Sequence, residues 1–164
     1  MTILTGVISS IVAAIIIGIA VEIYRRHFGK QIAITHPRPD EVMTDPEPNG
    51  DGFLFPVRGT FKHLPKDHTV WLLIEDDQTA AVRPQNFDIT RNDIAKTWEG
   101  KIWGSGPGIV KITALIAPPT SQDFFRYYRQ VGKLRNHVYE PLLRIPAEIR
   151  HRVSVQCRLP TRSQ

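Results

Sequence analysis

Cationic and aromatic side chains crowd one stretch of this chain. Phe124, Phe125, Arg126, Tyr127, Tyr128, Arg129, Lys133 and Arg135 fall between Phe124 and Arg135. Guanidinium and ammonium groups so placed could pair with the carboxylates of a protein partner. They could also meet an anionic membrane, which attracts a nearby cation by about 1 kcal/mol. Aromatics between arginines could stack on nucleic-acid bases or a nucleotide, the least favoured of these readings. The plain alternative is a solvated basic face whose aromatics turn into a core. The binding candidates are therefore Arg126, Arg129, Lys133, Arg135, Tyr127 and Tyr128.

The charge distribution points to the same region. Residues 31–125 carry nine Lys/Arg against thirteen Asp/Glu, whereas residues 126–164 carry nine against two. The formal net charge of +5 thus comes from the carboxy-terminal part.

Catalytic patterns do not emerge. The chain has no Gly-x-Ser-x-Gly, no phosphate-cradling glycine loop and no His-Glu-x-x-His. Gly104-Ser105-Gly106-Pro107-Gly108 precedes an apolar strand-like run, so it reads as a turn. The six histidines lack ligand spacing, and Glu75-Asp76-Asp77 reads as a solvated turn before it reads as a calcium site. No cofactor and no metal are expected. The single cysteine, Cys157, cannot form an internal disulfide and reads as a small buried hydrophobe on a strand.

The elements that must position these residues begin with an apolar segment. Ile3–Tyr24 contains one charge, Glu22, and would rise about 33 Å as a helix, enough to cross a bilayer. Arg25, Arg26 and Lys30 follow it, which favours an uncleaved anchor over a signal peptide and puts the remainder in the cytoplasm. Residues 1–30 are thus expected to be a single-pass anchor with a basic juxtamembrane end. Gly6, Ser10, Ala14 and Gly18 recur every four residues, a small-residue stripe suited to helix dimerisation.

Residues 31–51 contain repeated prolines and Asn49-Gly50, and read as an extended connector with an edge strand near Gln31–Ile34. Phe53, Phe55, Val57 and Phe61 alternate on one face, and Pro56 suggests an edge position. Thr69–Ile74 and Ile109–Ala117 are continuous apolar runs that suit central strands. Short strands are expected near residues 80–84, 87–89 and 96–103. Thr120-Ser121-Gln122-Asp123 resembles a capping box opening a helix from Ser121 to Val131, with Gly132 as its stop. That helix would cap one end of the domain or cover a sheet edge. Val153, Val155 and Cys157 then alternate on a closing strand over 150–159.

Trp71 in a central strand, the strand through Gly59-Thr60, Trp98, and the Gly106-Pro107-Gly108 turn before Ile109–Ile116 resemble an immunoglobulin-like or fibronectin-type sandwich of the disulfide-free bacterial kind. The paired cysteines of antibody domains are absent. The resemblance implies a mainly β, antiparallel sandwich over 52–159 with a helical insertion at 118–149, and a tail at 160–164. It also implies a binding or spacer module, not an enzyme. The expectation is a membrane-tethered interaction module with a protein partner or membrane surface. Two alternatives are an accessory component of a bacterial signalling or defence system whose enzyme is on another chain, and a small-ligand or nucleotide sensor.

Overall fold

The computed structural model describes residues 31–76, 81–85, 87–135, 139–142, 144–149 and 151–160. The expected anchor and its Gly6, Ser10, Ala14 and Gly18 stripe lie outside these residues, as does the tail from 161 onward. Among the described residues, nine strands and one helix run in the order β1 (Ile32–His36), β2 (Glu47–Asn49), β3 (Gly52–Phe61), β4 (Thr69–Asp76), β5 (Val82–Gln85), β6 (Phe87–Asn92), β7 (Thr97–Gly104), β8 (Gly108–Ala117), α1 (Pro119–Leu134) and β9 (Arg152–Leu159). They form two antiparallel sheets. The first has the order β1-β3-β7-β6, with β2 also pairing β3; the second has the order β5-β4-β8-β9. The chain is mainly β, with one helix before the last strand, and the two sheets fit a β-sandwich.

Alternation dictates which faces meet. Phe55, Val57 and Phe61 of β3 point into a core shared with Val70, Leu72 and Ile74 of β4 and with Val155 and Cys157 of β9. Gly59 lies opposite Trp98 of β7 in the ladder. A Cβ on Gly59 would collide with the Trp98 ring and the Ala33 carbonyl oxygen, so glycine is what lets the indole lie flat against β3.

One expectation about this half of the chain is corrected. The strand containing Pro56 is internal, because β7 pairs along it on one side while β1 and β2 share the other. Proline is tolerated there because β2 reaches only Leu54 and β1 starts at Arg58, so that side is locally unpaired at Pro56. The expected edge strand near Gln31–Ile34 is present as β1, and the rest of the connector over 31–51 packs on the domain. It supplies β2 as well, buries Met43 at 1% exposure, and hydrogen-bonds to β9 through Met43 N–H to the Arg158 carbonyl at 2.9 Å.

The helix also departs from expectation, in place and in boundaries. It neither caps an end nor covers an edge; it lies on the outer face of the second sheet. Trp71 and Leu73 of β4 and Leu115 of β8 point away from the shared core and meet Phe125 and Ile149. The Trp71 and Phe125 ring centroids are 4.9 Å apart. The capping box does not form. Pro118 is the N-cap with no side-chain cap bond, and Pro119 opens the helix, where a missing N–H costs nothing. Gly132 does not stop the helix. It stays within it, and the Tyr139 ring packs where its Cβ would be, so only glycine fits there. The Arg135 N–H ends the helix by donating to the Val131 and Gly132 carbonyls.

Candidate functional site

The helix is held from both ends. At its start, Gln122 Nε2 donates to the Asp67 carbonyl at 2.7 Å and the Ala117 carbonyl at 3.1 Å, and Ser121 Oγ donates to Glu148 at 2.7 Å. At its end, Tyr128 OH donates to the Glu140 carbonyl at 2.7 Å, and the Tyr128 and Tyr139 rings lie 5.8 Å apart. The segment after the helix is itself fixed, since the Leu142 N–H donates to the Val82 carbonyl at 2.8 Å. Burial raises the Tyr128 phenol above its ordinary pKa, and the charge of Arg83 pulls it the other way.

At about 100° per residue, these contacts divide the helix into faces. Ser121, Phe125, Tyr128 and Gly132 point toward the sheet. Arg126, Arg129 and Lys133 share a neighbouring face. Phe124, Tyr127, Val131 and Leu134, spaced three, four and three residues apart, form a stripe on the other flank of the buried face from these cations. Three of that stripe's members are largely uncovered: Phe124 is 42%, Tyr127 68% and Leu134 78% exposed.

The sequence candidates therefore do not form one cluster. Arg126 is exposed and forms an ion pair with Asp123 at 3.1 Å. Arg129 is half-buried and bonded, and Lys133 is exposed in the last turn, where a cation suits the helix dipole. Arg135 lies past the helix, 3.9 Å from Glu140. Tyr127 faces solvent on the apolar stripe, whereas Tyr128 is tied to the strap after the helix. Phe125 is fully buried, so one of the interleaved aromatics is structural.

A second feature had no signal in the sequence. A cleft of about 650 Å³ opens where β7 turns into β8, with Arg83, Gln85, Trp103 and Tyr139 among its lining. These residues are far apart in the chain, and only the pairing of β4 with β5 and the return of the strap bring them together.

Among the described residues, no group of three or more His, Cys, Asp or Glu is placed to hold a metal. Glu75 is taken up by Lys111 at 2.9 Å across β4 and β8. Cys157 is free and fully buried, and burial pushes its thiol up to about 12.

No protein-family model matches the chain, and no curated protein matches it. Two solved structures are similar at low level. One is the copper-reconstituted P19 protein from Campylobacter jejuni, at 11% identity over 76% of this chain and 98% of that one, with a TM-score of 0.32. The other is FetP from uropathogenic E. coli strain F11, recombinantly expressed in the periplasm, at 11% identity over 80% and 98%, with a TM-score of 0.34. The expected address, a cell-membrane protein with its soluble domain in the cytoplasm, finds no support in the structure: no helix among the described residues is long and apolar enough to cross a membrane. The helix described has 16 residues, short of the roughly 20 that a bilayer requires, and it carries charge on one side. That placement is withdrawn.

Proposed function

We propose that this chain is a non-enzymatic interaction module with an immunoglobulin-like sandwich, and that it presents the outer side of α1 to a protein partner. The strand order supports the immunoglobulin-like part. The orders β1-β3-β7-β6 and β5-β4-β8-β9 correspond to A-B-E-D and C′-C-F-G. One hallmark is displaced. The tryptophan of strand C ordinarily fills the sandwich core, but Trp71 faces the helix and Trp98 occupies the core instead.

The observation that carries the functional reading is the exposure of Phe124, Tyr127 and Leu134 on a helix whose sheet-facing side is locked down. Large apolar side chains left together in water cost free energy that a partner's surface recovers, at roughly 25 cal/mol per Å² covered. Arg126 and Lys133 lie on the other flank of the helix, about 140° round the axis from this stripe, so the surface that covers the stripe is apolar.

Site-specific photo-crosslinking of the full chain tests this. A photoreactive residue at Tyr127 is expected to trap a discrete protein adduct, and one at Thr60, exposed on β3, is not. Equal or absent adducts from both positions would remove the reading.

A further inference from the structure

The cleft at the β7–β8 turn has a charge pattern that the helix surface lacks. Its floor is apolar, made by Ile74, Val110 and Leu159. These three belong to the shared core, so the cleft enters the open end between the sheets. Arg83 lies opposite Ile74 in the β4–β5 ladder, and directly paired residues share a sheet face. The Arg83 side chain is therefore on the core side of β5, and it is half-buried. Among the described residues Arg83 is the only charged one lining the cleft, with no carboxylate beside it. Elsewhere Arg58, Arg91, Lys101 and Lys111 each have a carboxylate within 3.2 Å. Arg83 has no acidic partner among the described residues.

The other polar groups are already ordered. Gln85 Oε1 accepts the Trp103 backbone N–H at 3.2 Å, which leaves its amide NH₂ as a donor. The glycine turn keeps the mouth open. Gly106 and Gly108 have no atom within 4 Å of where a Cβ would stand, and neither has a left-handed φ. Backbone strain does not demand glycine at either position.

We propose that this cleft binds a small anion with an apolar body, its charged end on the Arg83 guanidinium and its body against Ile74, Val110 and Leu159. A half-buried guanidinium without a counter-charge pairs strongly with a carboxylate or sulfonate, because it has already lost part of its hydration. The volume lies in the range of small-molecule sites, roughly 300–1,000 Å³. This site is separate from the α1 surface, and its failure would leave that surface untouched.

The test uses the full chain with 2-naphthoate and its neutral analogue 2-acetonaphthone as probes, titrated by calorimetry. Saturable naphthoate binding is expected, with the ketone weaker by about tenfold and the difference lost in Arg83→Gln. Absent naphthoate binding, or an anion preference that survives Arg83→Gln, overturns the proposal. Should Arg83→Gln fail to fold by circular dichroism, Ile109→Glu decides. Ile109 is 41% exposed at the mouth, and a carboxylate there is expected to weaken naphthoate selectively. Unchanged naphthoate affinity in Ile109→Glu overturns the proposal equally.

Discussion

Single residues explain how this chain folds without a disulfide. Gly59 permits Trp98 to lie against β3, so Gly59→Ala forces an atom into the ring and the Ala33 carbonyl. We expect it to lose about 1–3 kcal/mol or more in urea unfolding. Cys157 is neutral in the fold, with burial raising its thiol to about 12 from an ordinary value near 9.0. The unfolded thiol ionises first as pH rises, so the stability tied to this proton is intact below about pH 9 and is lost toward pH 12. Alkaline unfolding midpoints should fall over that window and fall less in Cys157→Val. Native Cys157 should resist thiol reagents at neutral pH. Glu148 has the opposite sign. Its own backbone N–H and the Ser121 hydroxyl hold its carboxyl below the usual range. That contribution is present above pH 4.5 and is lost as pH falls through the folded-state value. Ser121→Ala should therefore narrow the acid range of stability at the helix start.

At the scale of elements, the helix layer depends on one ring. Phe125 is fully buried against Trp71. Phe125→Ala should cost about 3–5 kcal/mol if the layer folds with the sheets. Loss of helical signal with intact sheets would show instead that α1 docks independently. The strands were legible in the sequence because alternation and apolar runs report face and burial directly. The runs at Thr69–Ile74 and Ile109–Ala117 became β4 and β8, and Val155 and Cys157 became core residues of β9. What alternation could not show was that Trp71 and Leu73 need a cover different from that of Val70 and Leu72. A strand buried on both faces does not name what buries each face. The helix start was misread for a local reason. Thr120 and Asp123 have capping chemistry, but Pro118 takes the N-cap position and Pro119 begins the helix, which leaves both inside it. The cleft was illegible because Arg83 and Tyr139 meet only through tertiary pairing.

For the whole molecule, the two sheets supply a rigid frame and α1 supplies a surface that the frame does not need. Basic and apolar residues that looked like one motif in the sequence separate on the helix. Arg126 and Lys133 lie on one side, and Phe124, Tyr127 and Leu134 on another. A partner seated on the apolar stripe should draw most of its affinity from it, with the cations acting only through their longer-range field. The measurement that reaches this claim most directly is the affinity of the protein trapped from Tyr127, titrated against the native chain and two variants. The account predicts that Tyr127→Ala with Leu134→Ala weakens binding by about a hundredfold, near 3 kcal/mol, while Arg58→Glu on the other sheet changes nothing. Equal affinity for the native chain and the Tyr127→Ala, Leu134→Ala variant would contradict it.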